Sequence, residues 1–131
     1  MPHQNGHPTF MKYVDIHQLP IKTVSHNPDI KKQVMLNPGD VSNLVYFSQA
    51  RFKPGHIAAG HSHKDMSEVF FVEQGEGTIT VNETVHSLAT GVCVAVHPGD
   101  VHEIANTGTQ DLLLTYFAIR STDVADDKDN T

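Results

Sequence analysis

The chain has 131 residues, 38% of them hydrophobic and 18% charged, which is typical of one soluble domain with its own core. A formal net charge of −6 without a basic stripe argues against nucleic-acid binding, because phosphate contacts need clustered Lys and Arg. The single cysteine excludes an intrachain disulfide, and no apolar run is long enough to span a membrane. We therefore expect a protein that binds neither nucleic acid nor membrane.

The two ends of the chain differ in composition from the middle. Residues 1–11 are predicted to form a flexible arm, and the polar, acidic residues 121–131 a frayed tail. The first residues lack the charged and apolar regions of a secretory signal, so a cytoplasmic location is expected. This leaves one predicted domain, residues 12–120.

Within that domain, short β-type runs alternate with turns rich in Gly, Pro, Asn and Asp. The best helical candidate is a single turn within residues 27–36, bounded by Pro28 and Pro38. The predicted strands are residues 44–52, 68–74, 78–81, 84–88, 92–96, 102–106 and 111–119. Asn82-Glu83 is a candidate two-residue hairpin loop, since Asn tolerates a positive φ. Strands at this spacing predict an all-β fold, either an antiparallel sandwich or a barrel.

The last predicted strand, residues 111–119, is apolar on both of its faces. Leu112, Leu114, Tyr116 and Ala118 lie on one side, and Leu113, Thr115, Phe117 and Ile119 lie on the other. A strand with two apolar faces is covered by the core on one side and by a second layer or subunit on the other. We therefore expect a homodimer through residues 111–119 and 44–52, unless a local segment such as 12–24 covers this face.

The stretch GHSHKDMSE, residues 60–68, contains three potential metal ligands. On a strand, His61 and His63 would face the same side, and a turn at KDMS would bring Glu68 alongside. Such sets of two imidazoles and a carboxylate suit divalent Fe, Mn, Ni, Co, Cu or Zn. A further histidine, His102, follows a Pro-Gly turn at the start of another predicted strand. A sandwich can bring two such separated segments together.

These two segments carry the two motifs of the cupin superfamily. The first motif, G-x5-H-x-H-x4-E-x6-G, is matched by Gly55, His61, His63, Glu68 and Gly75. The second, G-x5-P-x-G-x2-H-x3-N, is matched by Gly91, Gly99, His102 and Asn106, with His97 at the proline position and a proline after it. The chain therefore resembles a small, single-domain bacterial cupin, and we expect the second turn to be preserved.

The resemblance implies a cupin double-stranded β-helix, that is, a jelly-roll barrel. It also implies a ligand set of three histidines and one glutamate for one divalent transition metal per chain, Fe, Mn, Ni or Zn: His61, His63, Glu68 and His102. Octahedral coordination by this set would leave two open positions. Glu68 is also the candidate catalytic residue, as a proton acceptor. The motif glycines are interpreted as turn residues with unusual φ.

Five further residues are candidates for a substrate pocket: Phe70, His97, His56, Met66 and Tyr116. Two functions follow from the resemblance for a small oxygenated or sugar-like molecule as ligand. The first is a metal-dependent enzyme of the oxygenase or isomerase type, and the alternative is a non-catalytic binding protein. A structural metal protein is the weaker third hypothesis, because structural sites are usually closed.

Overall fold

The structure, a computed structural model, describes residues 11–25 and 27–121. Of the predicted arm only Met11 falls within these ranges, and of the predicted tail only Ser121. The rest of both segments lies outside the described residues.

Within the described residues the chain forms ten strands and one short 3₁₀ helix, Ile16–Gln18. The strands are β1 (Lys22–Val24), β2 (Asn27–Leu36), β3 (Leu44–Phe52), β4 (Ile57–His61), β5 (Met66–Gln74), β6 (Glu76–Val81), β7 (Thr84–Ala89), β8 (Cys93–Val96), β9 (His102–Ala105) and β10 (Leu112–Arg120). They form a six-stranded sheet in the order β1-β2-β3-β10-β5-β8 and a four-stranded sheet in the order β4-β9-β6-β7. Every pairing is antiparallel. The all-β jelly roll is thus confirmed. None of the helices among these residues has the length and hydropathy needed to cross a membrane.

The predicted helical turn within residues 27–36 is wrong, because these residues form β2. They pair with β1 on one side and with β3 on the other, so two ladders satisfy the backbone groups that a helix would have paired internally. Ile30 is fully buried in the core, and Lys32 and Val34, two and four residues further on, face the same side. This period of two is the signature of a strand.

The core lies between the two sheets and is built by alternate residues of each strand. On β10, the residues Leu112, Leu114, Tyr116 and Ala118 are all buried. The first three belong to one core cluster with apolar residues from both sheets: Ile30, Ala50, Phe52, Val72, Ile79, Leu88, Val96 and Ile104. The predicted inner face of the last strand is therefore confirmed, and β10 lies between β3 and β5 within the six-stranded sheet.

The outer face of the six-stranded sheet is covered only in part. On β2, next to the edge strand β1, the Gln33 side chain donates to the carbonyls of Ile16 and Leu19, at 2.8 and 3.1 Å, so the segment before β1 packs there. Further across the sheet, Phe71 is 40% exposed and Ile119 is 45% exposed. The local segment therefore does not cover the whole outer face.

Tight turns join the strands where the sequence predicts them. Asn82 and Glu83, with φ of 47° and 74°, form the two-residue loop between β6 and β7, and two positive φ values are characteristic of a type I′ turn. The motif glycines at 55, 75, 91 and 99 all have positive φ, as expected. At Gly75 a side chain is excluded for a second reason, because a Cβ would lie 2.4 Å from the carbonyl oxygen of Asp111.

Candidate metal centre

Four side chains converge at one end of the space between the sheets. His61 is the last residue of β4, His63 lies in the loop after it, Glu68 faces inward from β5, and His102 is the first residue of β9. One potential ligand atom from each lies within 4.8 Å of the others. The expectation that His61 and His63 share a strand is wrong, because β4 ends at His61. The loop instead turns its imidazole toward the same point.

The Glu68 carboxylate lies between two of the histidines. Its Oε1 is 3.0 Å from Nε2 of His102 and 3.4 Å from Nε2 of His63. The ring of His61 completes the cluster, with its centroid 4.5 Å from that of His102. The Glu68 and His102 side chains are almost fully buried, whereas His61 and His63 are half-buried. The cluster therefore has a closed inner side and a side that opens toward solvent.

Backbone carbonyls fix the orientation of two imidazoles. Nδ1 of His61 lies 3.0 Å from the carbonyl oxygen of Ala59, and Nδ1 of His102 lies 3.1 Å from that of Asp100. A carbonyl can only accept, so Nδ1 carries the proton in both rings and Nε2 is the nitrogen available to a metal. Such a contact is the usual outer support of a metal-binding histidine, because it sets both the tautomer and the ring angle.

The two oxygens of Glu68 have different partners. Oε1 faces the histidines, and Oε2 accepts a hydrogen bond from the Tyr46 hydroxyl. Burial acts to raise the pKa of Glu68, but the hydrogen bonds from His102 and Tyr46 outweigh it and hold the pKa below its usual value. For His102 burial acts to lower the pKa, and the contact with Glu68 together with that to the Asp100 carbonyl raises it. Without a metal, each partner therefore favours the charged form of the other.

One observation that does not depend on the sequence motifs indicates that the cluster fits a metal ion. Nε2 of His63 is a buried atom without a hydrogen-bond partner, and its 3.4 Å approach to Glu68 is not a hydrogen bond. An unsatisfied buried nitrogen costs free energy unless something coordinates it. Three imidazoles and a carboxylate are also the donor types that divalent transition metals bind.

The loop before His102 is braced by the β6–β7 hairpin. The Asn82 side chain donates to the Asp100 carboxylate and accepts from the Val101 N–H, both at 2.9 Å. The Asp100 N–H donates to the His97 carbonyl at 3.0 Å, which closes a turn with Pro98 and Gly99 at its centre. The turn is thus preserved although His97 stands at the motif's proline position. This turn positions His102 in the cluster.

Asn106, the last residue of the second motif, does not belong to the cluster and forms hydrogen bonds with the backbone. Asn106 is buried, and its amide donates to the carbonyls of Phe52 and Gln110, at 2.9 and 2.8 Å. Its side-chain oxygen accepts from the Gly108 N–H at 2.9 Å. Asn106 therefore ties the end of β9 to β3 and to the loop before β10.

The cluster forms part of the wall of a cavity of about 400 Å³ between the sheets. Of the five candidate pocket residues, Phe70, Met66 and Tyr116 line this cavity. His56 and His97 are not among its lining residues. The His56 ring accepts from the Lys53 N–H at 3.1 Å, and His97 is exposed. The structure thus brings three of the five together with the four candidate ligands.

Two lysines of the cavity wall, Lys22 and Lys32, were not among the candidates drawn from the sequence, and Tyr46 also lines the cavity. Alternation places Tyr46 on the inner face of β3, but its contact with Glu68 follows from the registers of β3 and β5 on β10, which both pair with Ala118 here. No sequence signal gives that register. Lys32 was missed because its segment was assigned to a helix.

The family model described as "Cupin domain" matches residues 48–118, more than half of the chain. The chain belongs to the cupin family. Both halves of the cluster, His61 to Glu68 and His102, lie within the matched region. No curated protein sequence matches the chain.

Solved cupin structures share the fold at low sequence identity. A protein described as a predicted oxalate decarboxylase from Thermotoga maritima superposes with a TM-score of 0.77 at 20% identity, covering 82% of this chain and 98% of that one. A cupin-superfamily sugar phosphate isomerase from Silicibacter pomeroyi superposes with a TM-score of 0.69 at 17% identity, covering 83% of this chain and 76% of that one. The polyketide cyclase RemF from Streptomyces resistomycificus superposes with a TM-score of 0.71 at 13% identity, covering 85% of this chain and 80% of that one. At these identities the likeness concerns the fold alone.

Proposed function

We propose that this cupin binds one divalent transition metal per chain through His61, His63, Glu68 and His102, and uses it to act on a small oxygenated or sugar-like molecule in the adjoining cavity. The observation that carries the proposal is the buried Nε2 of His63, which has no hydrogen-bond partner and lies in a cluster with three other potential ligand atoms. Fe, Mn, Ni and Zn all suit this donor set.

A metal held here would act as a Lewis acid toward a hydroxyl, carbonyl or carboxylate of the ligand. The chain's own contributions are orientation and exclusion of water. His61 and His102 present Nε2, Tyr46 fixes Glu68, and Phe70 and Tyr116 stack with ring centroids 5.6 Å apart on the cavity wall. Glu68 is the proposed proton acceptor when its carboxylate is not bound to the metal, through Oε1, the oxygen that faces the histidines. An oxygenase or isomerase reaction is compatible with these parts.

A non-catalytic binding protein is the second candidate, and the composition of the cavity wall favours it. Among the described residues that line the cavity, Glu68 is the sole carboxylate, and all of the histidines belong to the cluster. Burial raises the pKa of Tyr116 to about 12, so its hydroxyl stays protonated near neutral pH. Among the described residues, the wall thus offers no carboxylate or histidine outside the cluster for acid–base chemistry.

Elemental analysis of protein purified without a histidine tag tests the metal site. We expect close to one transition metal per chain, and none after His61→Ala together with His63→Ala. The matched control is His56→Ala together with His97→Ala, which removes two histidines outside the cavity and should keep the metal. A His61/His63 double variant that still holds one metal per chain would overturn the proposal.

Nuclear magnetic resonance of a bound ligand separates the two candidates. An enzyme converts a ligand that binds to the metal-loaded protein, whereas a binding protein releases it unchanged after long incubation. Iron in the purified protein would favour oxygen chemistry, and zinc or nickel would favour an isomerase or a binding role.

A homodimer is also proposed, with the outer face of the six-stranded sheet as its interface. Support comes from Phe71 and Ile119, which remain 40% and 45% exposed on that face. Next to them, Phe47 and Phe117 pack edge to face with centroids 6.4 Å apart and are only half-buried. Apolar residues clustered in this way typically mark a contact with another protein surface.

A further inference from the structure

The cavity wall carries a pair of lysines on β1 and β2. Lys22 and Lys32 are directly opposite each other across these two strands, and both line the cavity. Lys22 is exposed, and Lys32 is half-buried. Like charges directly opposite each other on neighbouring strands destabilise a sheet. The fold thus keeps a repulsive pair where a neutral residue on either strand would relieve the repulsion.

No carboxylate of the described residues forms an ion pair with either lysine. The ion pairs present involve Lys12, Arg51, Arg120 and histidines. The sole described carboxylate on the cavity wall, Glu68, is already held by Tyr46 and the histidine cluster. Because the whole chain has a net charge of −6, this local positive charge is not the result of a basic composition.

We infer that Lys22 and Lys32 bind the anionic group of the cavity's ligand, a carboxylate or a phosphate, while an oxygen at the ligand's other end faces the histidine–glutamate cluster. The second half of this statement rests on the proposed function. The first half rests only on the two lysines and the cavity they line. An oxyanion between the two ammonium groups would turn their mutual repulsion into two charge-assisted hydrogen bonds.

The rest of the wall restricts the class of ligand further. Besides the lysines and the cluster, the cavity wall includes apolar side chains, among them Val24, Val34 and Ile104. Its volume of about 400 Å³ is near the lower end for small-molecule sites, which span about 300–1,000 Å³. These features fit a small hydroxy or keto acid, or a small phosphate ester. They fit a neutral sugar less well, because it would leave both ammonium groups without a partner.

Titrations followed by amide chemical shifts test the anion site in chelator-treated protein, so that metal plays no part. The probes are inorganic phosphate, acetate, and the pair gluconate and sorbitol, which share a carbon skeleton but differ in charge. Chloride at matched ionic strength is the baseline. We expect saturable shifts at Lys22–Val24 and Lys32–Val34 with phosphate or acetate at millimolar concentration, and tighter binding of gluconate than of sorbitol. Stronger binding of phosphate than of acetate would identify a phosphate ester, and the reverse a carboxylic acid.

The decisive variant is Lys22→Gln together with Lys32→Gln. Losing two charge-assisted contacts should weaken anion binding by about tenfold or more and abolish the preference for gluconate. The matched control, Lys31→Gln together with Lys53→Gln, changes the net charge equally, but neither residue lines the cavity. It should bind like the unmodified protein. Melting temperatures confirm folding, and the Lys22/Lys32 variant should be no less stable, because a repulsive pair is removed.

The inference is overturned if neither anion gives a saturable shift, if gluconate and sorbitol bind equally, or if the Lys22/Lys32 variant keeps the charge preference. The variant His61→Ala with His63→Ala separates this result from the proposed function. That variant should lose the metal and keep the preference for anions. A failed metal proposal would instead appear as metal retained in the variant, with the anion titration unaffected.

Discussion

The Tyr46 hydroxyl donates a hydrogen bond to Oε2 of Glu68, and this leaves Oε1 directed at His63 and His102. The contact crosses one strand, because Tyr46 on β3 and Glu68 on β5 both pair with Ala118 of β10, which lies between them. Tyr46 is thus a positioning residue for the carboxylate. It also keeps Glu68 ionised, since the hydrogen bond helps to hold the pKa below its usual value.

Tyr46→Phe should therefore weaken metal binding without unfolding the protein. Partners that orient a metal ligand are typically worth about 10- to 100-fold in affinity, and a change of that size is expected here. Competition against a coloured chelator measures it. Tyr116→Phe is the control, because Tyr116 lines the same cavity but its hydroxyl interacts with Ser48. Equal affinities for the two variants would exclude the positioning role.

Removal of His102 should cost more stability in the metal-free protein than removal of His61. His102 is 2% exposed and lies 3.0 Å from Glu68, so His102→Ala leaves a buried carboxylate with one partner fewer. Such a loss typically costs about 1–3 kcal/mol of the free energy of unfolding. His61 is half-buried on the open side, where water can replace it. Urea denaturation in the presence of chelator compares the two, and equal losses would contradict the assignment of His102 as the buried partner.

The four candidate ligands could be predicted from the sequence because motif spacing fixes them, and the structure brings their ligand atoms together. The turn at Asn82-Glu83 and the inner face of β10 could also be predicted from the sequence, since a two-residue loop and a period of two are local patterns. Contacts that depend on the register between strands could not be predicted. Tyr46 meets Glu68, and Lys22 meets Lys32, only through pairings between strands that are distant or misassigned in the sequence. The segment 27–36 was misassigned because two prolines bound a short run that reads equally well as a turn of helix.

If the protein is a homodimer, light scattering at micromolar concentration should give a mass of about twice that of the 14.4 kDa chain. Phe71→Glu should shift the protein toward monomer, because it places a charge in the outer face of the six-stranded sheet. Val85→Glu is the control, since Val85 is 63% exposed on β7 in the other sheet. A monomeric unmodified protein would show that the outer face stays exposed to solvent.

The stability of the metal-free protein should depend on pH through the Glu68–His102 pair. The pKa of Glu68 is lowered from 4.5, so its contribution is present above pH 4.5 and is lost as the pH falls through the lowered value. The pKa of His102 is raised from 6.5, so its contribution is present below pH 6.5 and is lost as the pH rises through the raised value. We expect the pair to stabilise most between pH 4.5 and 6.5. Denaturation curves of the unmodified protein and of Glu68→Gln, both with chelator, should differ most in that window.

Metal should change this profile, because an imidazole must lose its proton to become a ligand. The increment in melting temperature on adding metal should be largest near pH 8 and mostly gone near pH 5, the opposite of the trend for the ion pair. At a free metal concentration about a hundred times its dissociation constant, the increment corresponds to about 2.7 kcal/mol. For a domain of this size, that raises the melting temperature by several degrees. Scanning calorimetry with and without chelator at both pH values measures it, and equal melting temperatures at pH 8 would show that the cluster does not bind metal in the folded state.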